Sequence, residues 1–204
     1  MSAAAIEQPM EDQLSEELSL PDAADLISAK LPGFRVEILG SQIVVTPPAD
    51  GRHGRSLTRL MKSLMAAGLD GGETEVIQAI GLSLPEGPSD FAVPDLAVVD
   101  ADFENHRAGS GCYDPAVFHL VVEVTSSNQL TDLRVKPGLY ASVGIPVYVI
   151  VDRGRRQILV LTEPQDGEYL VQTSYLPGAT VTLPASIGAT VTFDVDSVLG
   201  PVKG

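Results

Sequence analysis

The stretch Val117–Asp152, VFHLVVEVTSSNQLTDLRVKPGLYASVGIPVYVIVD, carries the pattern that decides the fold of this chain. Its beginning, Val117–Val124, is almost continuously apolar, as expected for a strand that is covered on both faces. Thr131–Val143 has a helical pattern that Pro137 interrupts, so the helix either begins one residue before the proline or is kinked there. Val147–Val151 is again apolar and predicts a second buried strand. The stretch therefore predicts a strand–helix–strand unit.

Further elements flank this unit on both sides. Those before it are a helix over Pro21–Leu31, a hairpin of Phe34–Leu39 and Ile43–Val45, an amphipathic helix over Asp50–Ala67, and strands over Glu75–Leu84 and Asp95–Val99. Those after it are a strand over Ile158–Thr162, short strands within Tyr169–Val195, and a last helical turn near Asp196–Leu199. This order predicts an α/β fold: a mixed sheet with flanking helices, preceded by an N-terminal hairpin and followed by extra short strands.

Length and charge divide the chain into a tail and one domain. A chain of 204 residues is typical of a single domain. Residues 1–25 hold seven acids and no base. We therefore expect residues 1–20 to be a flexible acidic tail and residues 21–204 to be one domain. The net charge of −14 argues against a nucleic-acid partner, because phosphate binding depends on Lys and Arg.

The distribution of the bases weakens that argument. Without the seven N-terminal acids, the chain carries 20 acids against 13 bases. Four bases of the second predicted helix recur every three or four residues and form one stripe: Arg52, Arg55, Arg59 and Lys62. This basic stripe is a candidate nucleic-acid-binding surface, although a solvated helix face has the same pattern.

Several classes of protein are excluded by composition. The one cysteine, Cys112, excludes an internal disulfide framework and a zinc cage built from cysteines. The longest apolar stretch, Val143–Val151, is far shorter than the ~20 residues that a membrane span requires. The N-terminus has no signal-peptide pattern, and neither His106 nor His119 accompanies a nucleophile elbow. We expect a cytoplasmic protein with no membrane partner.

Two carboxylates interrupt strands that are otherwise apolar. Asp95 stands at the start of a strand in VPDLAVVD, and Glu123 lies inside FHLVVEV. A buried carboxylate costs several kcal/mol unless it is paired, protonated or bound to a metal. Lys136 follows Glu123 by thirteen residues, and a strand–loop–helix return can bring its ammonium back to the carboxyl end of the strand.

These three groups are the minimum set for magnesium-assisted hydrolysis of a phosphodiester. Mg²⁺ prefers oxygen ligands and keeps several waters, so one or two carboxylates suffice. The metal polarises the phosphate and lowers the pKa of a water, while the lysine stabilises charge on the phosphate oxygens or positions the attacking water. For each residue taken alone, the alternative is a structural salt bridge, for example between Glu123 and Lys136.

The segments VPDLAVVD, LVVEVTSSN and TDLRVKPGLYASVGIPVYVIVD, in this order and spacing, resemble the Uma-two family, restriction-endonuclease-like proteins of the PD-(D/E)XK phosphodiesterase superfamily. The resemblance covers most of residues 31–165. It implies a restriction-endonuclease-like core, Mg²⁺ or Mn²⁺ as cofactor, and DNA as substrate. It also implies that Asp95 and Glu123 are the metal ligands and Lys136 the catalytic lysine. In the wider superfamily that lysine stands two residues beyond the second acid, where this chain has Thr125.

The same resemblance draws attention to three further residues: His53, Glu37 and Asp132. His53 is expected at the start of the helix with the basic stripe, where it either faces the crevice and orients a phosphate or water, or is an exposed cap. Glu37 is either a further ligand or the partner of an arginine in a cross-strand ion pair. Asp132 precedes Lys136 by four residues and is expected to orient it through an i, i+4 pair.

Three functions are compatible with these residues. The leading prediction is a Mg²⁺-dependent endonuclease. The alternatives are a nuclease-fold module with weak or no activity, which acts in protein interaction or regulation, and an α/β domain whose acids form structural salt bridges. The acidic net charge favours the interaction module, and the complete set of Asp95, Glu123 and Lys136 favours the enzyme. Exposed edge strands and the basic stripe are compatible with a homodimer.

Overall fold

The computed structural model of the chain describes residues 18–84, 87, 89–109, 111–126 and 129–201. The predicted acidic tail lies outside these ranges except for residues 18–20, and the first helix already begins at Leu20. The α-helices of the described part are α1 (Leu20–Lys30), α2 (Gly51–Ala66), α3 (Lys136–Ser142) and α4 (Val195–Leu199). Within these ranges, none of the helices has the length and hydropathy needed to cross a membrane.

The strands of the described part belong to three sheets. In chain order they are β1 (Arg35–Leu39), β2 (Gln42–Thr46), β3 (Thr74–Gln78), β4 (Gly81–Ser83), β5 (Phe91–Ala92), β6 (Leu96–Asp100), β7 (Cys112–Tyr113), β8 (Phe118–Val124), β9 (Val147–Asp152), β10 (Gln157–Gln165), β11 (Glu168–Tyr175), β12 (Thr180–Leu183) and β13 (Val191–Asp194). The main sheet has the order β11-β10-β9-β8-β6-β3, and the smaller sheet has the order β2-β1-β5-β4-β7. β12 and β13 form a separate hairpin. The predicted mixed α/β architecture is thus confirmed.

The strand–helix–strand unit consists of β8, α3 and β9, and its two strands are parallel neighbours in the main sheet. Apolar residues of α2, α4 and the β12–β13 hairpin cover one face of this sheet. Residues of α3 and of the smaller sheet cover the other face. Because both faces are covered, successive residues of β8 point alternately into two apolar clusters. Glu123 therefore lies in the part of β8, residues 120–124, in which every residue is buried.

The regular part of the helix of this unit begins at Lys136, as in the first of the two predicted alternatives, but helical backbone already starts at residue 129. A π-helical turn over Thr131–Val135 precedes it. Pro137 has no N–H to donate within the helix, which favours an irregular turn before it. The hydroxyl of Tyr148 on β9 donates a 2.9 Å hydrogen bond to the Asp132 carbonyl and ties this turn to the sheet.

The prediction of one strand over Glu75–Leu84 is wrong. The structure has β3 at the edge of the main sheet and β4 in the smaller sheet, with Ala79 between them at a φ of +53°. A side chain on Gly81 would lie 2.4 Å from the carbonyl oxygen of Gly111, so the backbones approach closely there. The sequence stays apolar through this turn because the main sheet buries residues before it and the smaller sheet buries residues after it. No proline marks the break.

Candidate active site

Asp95 and Glu123 lie side by side because β6 and β8 are antiparallel neighbours. Leu96 pairs with Val122, so one further residue of the same register brings Asp95 opposite Glu123. The Val124 amide donates a 2.8 Å hydrogen bond to Asp95 Oδ2. Both acids are buried, and Glu123 has no exposed surface. The pairing of these two strands thus brings the predicted acids together at the carboxyl end of β8.

Arg35 of β1 lies between the two carboxylates. Its Nη1 is 2.7 Å from Asp95 Oδ1 and 3.8 Å from Glu123 Oε2. The same nitrogen donates a 2.8 Å hydrogen bond to the carbonyl oxygen of Val93. One guanidinium nitrogen is therefore within ion-pair distance of both predicted metal ligands.

Lys136 is the first residue of α3, and it is only 1% exposed. Its Nζ donates to Glu123 Oε1 at 2.5 Å and lies 2.9 Å from Glu37 Oε1. Asp132 Oδ1 is 3.7 Å away, which is the predicted i, i+4 contact. The contact with Glu123 is also the salt bridge that a purely structural role would require. The structure thus places Lys136 in contact with three acids.

Glu37 differs from the expectation of a cross-strand ion pair with an arginine. Its Oε1 accepts a 2.8 Å hydrogen bond from the Val93 amide, in addition to the contact with Lys136. The arginine that it approaches is Arg35, on the same strand, with Nε 3.9 Å from Oε2. The predicted pairing with an arginine is therefore present, but within one strand and not across strands, because alternation along β1 puts residues 35 and 37 on one face. A role of Glu37 as a further ligand stays a prediction.

His53 approaches the acids from the first turn of α2. Asp50 caps this helix and accepts a 2.7 Å hydrogen bond from the His53 amide. The His53 side chain is buried, and its Nε2 is 2.9 Å from Asp95 Oδ2. The alternative of an exposed cap is thus wrong, because Asp50 is the cap. The ring Nδ1 is buried and has no hydrogen-bond partner among the described residues.

The two central carboxylates have opposite pKa shifts. Burial alone would raise the pKa of Asp95, but the hydrogen bond with His53 and the charge of Arg35 outweigh it and lower that pKa to about 2. Burial raises the pKa of Glu123 well above its usual range, and the charge of Asp95 adds to this effect. Lys136 opposes the rise in the Glu123 pKa only in part, because it is shared with other acids.

The acids of the site outnumber its permanent cations. Burial lowers the pKa of Lys136, but Glu123, Glu37 and Asp132 outweigh burial and raise that pKa above its usual value. Burial also raises the pKa of Asp132, to about 6, against the effect of Lys136. Four acids thus surround only two permanent cations, Arg35 and Lys136.

The donor atoms fit a hard divalent cation. Glu123 Oε2 is buried and accepts no hydrogen bond from the described part of the chain. Asp95 Oδ1 and Glu123 Oε2 both face the same nitrogen of Arg35. The described ranges contain no group of three or more His, Cys, Asp or Glu side chains arranged to hold a metal. Two carboxylates suffice for Mg²⁺, which keeps several waters.

A cleft of about 140 Å³ opens onto this site, and Arg35, His53 and Asp95 line it. A second cleft, of about 440 Å³, adjoins the first because the two share Ser126 and residues 47–49. Arg153 lines the second cleft and pairs with the helix cap Asp50, with Nη2 2.7 Å from Oδ2. The two adjoining clefts lead to Asp95, the acid of the site that lines the first of them.

The basic stripe does not line these clefts. Arg59 and Lys62 line a separate cleft of about 410 Å³, next to α4 and β13. Arg55 packs against Gly200, where an added Cβ would lie 2.4 Å from its guanidinium. Arg52 is exposed. The structure does not bring the stripe and the acids together, and nucleic-acid binding by the stripe stays a prediction.

Arg35 and Tyr140 are site residues that the sequence reasoning missed. The Tyr140 hydroxyl is buried and donates a 3.1 Å hydrogen bond to Glu123 Oε1. Each residue has a periodic signal: Arg35 stands two residues before Glu37 in a strand, and Tyr140 stands four residues after Lys136 in a helix. Neither is an acid in an apolar strand, which was the signal that identified Asp95 and Glu123.

Comparisons with known proteins agree with this architecture. The crystal structure of a putative nuclease belonging to DUF820 from Anabaena variabilis ATCC 29413 superposes with a TM-score of 0.64 over 84% of this chain and 94% of that chain. At 14% identity this likeness shows the fold alone, and it confirms the predicted nuclease-like fold class. No curated protein matches. A family model, Uma2, described as "Putative restriction endonuclease", matches residues 20–196, and the chain therefore belongs to the Uma2 family.

Proposed function

We propose that the chain is a Mg²⁺- or Mn²⁺-dependent endonuclease that hydrolyses phosphodiester bonds of DNA at Asp95 and Glu123. The observation that carries the proposal is the buried Glu123 Oε2, which no donor of the described part satisfies and which faces the same position as Asp95 Oδ1. An unsatisfied buried carboxylate oxygen is costly. A divalent cation at this position would supply the missing partner.

The two carboxylates are held in the same way, with one oxygen fixed by the protein. Lys136 and Tyr140 bind Glu123 Oε1, which leaves Oε2 for a ligand. His53 and the Val124 amide bind Asp95 Oδ2, which leaves Oδ1 on the side of Arg35. Partners of this kind orient metal ligands, and their loss typically costs about 10–100-fold in metal affinity or activity. The fixed oxygens thus support a pair of oriented ligands.

A cation held here supplies Lewis-acid polarisation of the phosphate and lowers the pKa of an attacking water. Lys136 stays protonated, since its pKa is raised, so it is not a general base. It is almost fully buried behind Glu123 and acts as a positioning residue that orients this carboxylate and favours its ionised form. His53 lines the cleft and is hydrogen-bonded to Asp95, so it positions Asp95 as Lys136 positions Glu123.

Nucleic acid is the substrate class that the family description and the clefts support, and DNA is the one that we propose. The net charge of −14 is the observation that favours the alternative, a module of weak or no activity that acts in protein interaction or regulation. The two functions differ in one property. Only the enzyme depends on Asp95 Oδ1 and Glu123 Oε2 as ligands.

The test is cleavage of supercoiled plasmid, single-stranded DNA and RNA by the full chain with MgCl₂, MnCl₂ or EDTA. We expect metal-dependent nicking of DNA that falls by at least about 10²-fold in Glu123→Gln. Asp100→Asn, which alters an acid at the far end of β6, is the matched control and should keep wild-type activity. Circular dichroism verifies that both variants are folded. Absence of cleavage, or full activity in a folded Glu123→Gln, contradicts the proposal.

A further inference from the structure

We propose that Arg35 and a divalent cation exclude one another at the Asp95–Glu123 pair, so that metal binding requires the guanidinium to leave both carboxylates. Arg35 is thereby a residue that sets the metal affinity of the site. This inference rests on the proposed function, because it takes these two carboxylates as the metal ligands.

The position of one nitrogen carries the inference. Arg35 Nη1 is 2.7 Å from Asp95 Oδ1 and 3.8 Å from Glu123 Oε2, the two oxygens that the other residues of the site leave for a ligand. Mg²⁺ binds carboxylate oxygens at about 2.0–2.1 Å. An ion that bonds to both oxygens thus needs the space that the guanidinium N–H groups fill. The two positive charges would also repel each other at such a short separation.

Arg35 has a route out of the site that the other cation lacks. Its side chain is 21% exposed, and it lines the 140 Å³ cleft. Lys136 is 1% exposed and contacts three acids, so it has no comparable route to solvent. Displacement of Arg35 therefore needs a rotation of one side chain into the cleft, with no opening of the core.

The exclusion lowers the apparent metal affinity. When only a fraction of molecules has the site free, the apparent dissociation constant rises by the inverse of that fraction. A guanidinium that occupies the carboxylates about nine-tenths of the time costs about tenfold in affinity. Removal of the guanidinium removes this cost and deprives the metal-free protein of a counter-charge for two buried acids.

The first test is titration of the full chain with MnCl₂ by isothermal titration calorimetry. We expect Arg35→Gln to bind Mn²⁺ about tenfold more tightly than the wild type. Arg155→Gln is the matched control, since Arg155 is also paired with a buried acid, Asp152, but lines neither cleft, and it should bind as the wild type does. Glu123→Gln should bind at least about tenfold more weakly.

The outcomes separate this inference from the proposed function. If Glu123→Gln abolishes Mn²⁺ binding but folded Arg35→Gln binds Mn²⁺ no more tightly than the wild type does, the role of Arg35 is overturned and the metal site is kept. Absence of Mn²⁺ binding in both the wild type and Arg35→Gln overturns the metal site, and the inference fails with it.

A second measurement needs no variant of Arg35 and so does not depend on the folding of one. The Nε–Hε signal of Arg35 is followed by NMR in ¹⁵N-labelled wild type during titration with MgCl₂. We expect the signal to change position and to exchange faster with water as Mg²⁺ saturates the site. An Arg35 signal that is unchanged at saturation, while Glu123→Gln abolishes the Mg²⁺ binding, overturns the exclusion.

Discussion

Each end of strand β6 has an aspartate paired with a histidine, and the two pairs have very different surroundings. Asp95 Oδ2 lies 2.9 Å from His53 Nε2, and both side chains are at most 6% exposed. Asp100 Oδ1 lies 2.6 Å from His119 Nε2, but these side chains are 39% and 29% exposed. The pairing is the same at both ends, so it cannot by itself define an active site.

The difference lies in what else converges on each aspartate. Asp95 also contacts Arg35 and the Val124 amide, and it lies opposite Glu123. The outer pair results from a β-bulge: the register of β6 and β8 shifts between Val98 and Val99, which turns His119 towards Asp100. Water solvates the exposed carboxylate of Asp100, so a metal ion would stabilise it little. In the buried cluster the acids outnumber the permanent cations, which favours the binding of a metal ion.

The largest expected effect is on catalysis at the two ends of β6. Asp95→Asn should lower metal-dependent cleavage of plasmid DNA by about 10³-fold or more, because it removes a charged ligand. Asp100→Asn should leave the rate within about twofold of the wild type, since exposed pairs contribute little. Gel assays with both folded variants measure the ratio. Equal rates for the two variants would remove the distinction between the ends of the strand.

The next effect is a pH dependence of stability that comes from the buried region. The pKa of Asp132 is raised to about 6, so the folded state holds its proton more tightly than the unfolded state does. The contribution of Asp132 to stability is therefore present near pH 4 and is lost as the pH rises through about 6. Asp132→Asn should be more stable than the wild type at pH 7.5 in EDTA, by up to about 3 kcal/mol, and the difference should shrink at pH 4.5.

Urea unfolding at the two pH values measures this difference. A variant that is equally stable or less stable than the wild type at pH 7.5 would show that the contact of Asp132 with Lys136 outweighs its burial.

The two histidines should differ in activity by a smaller factor. His53→Gln removes the ring that holds Asp95 Oδ2, and it should lower kcat/KM for DNA cleavage by about 10–100-fold. The metal dependence should shift to higher Mn²⁺ concentrations, which a merely structural role would not produce. His119→Gln should match the wild type in both readouts, and loss of activity in this variant would contradict the assignment.

The smallest effect is on the stability of the outer pair. Asp100→Asn should change the free energy of unfolding by less than about 1 kcal/mol, since ion pairs that retain contact with solvent are typically worth about 0.2–1 kcal/mol. Thermal unfolding of the variant beside the wild type measures this change. A loss of several kcal/mol would show that the two pairs are energetically alike.

The two central acids of the site could be predicted from the sequence because each interrupts an apolar strand. Asp95 and Glu123 stand out for this reason, and the spacing of Lys136 follows from the strand–helix–strand unit. Arg35 could not be found in the same way, since its approach depends on how the smaller sheet packs against the main one. Spacing along the chain contains no information on that packing.

Tertiary packing also decides the surroundings of two other predicted elements. The basic stripe is correctly helical, but Arg59 and Lys62 line another cleft because their side of α2 faces α4 and β13. The apolar run over residues 75–84 gave one predicted strand, whereas two sheets bury its two parts. In both cases periodicity predicts which residues share a face, and tertiary packing decides which neighbour that face meets.

The most direct test of the cation site is a crystal structure of the protein soaked with MnCl₂, with anomalous data that locate the ion. The account predicts a peak bonded to Asp95 Oδ1 and Glu123 Oε2, with the Arg35 guanidinium displaced into the cleft. A saturated crystal without a peak at this pair, or with the ion elsewhere and Arg35 still bridging both carboxylates, would contradict it.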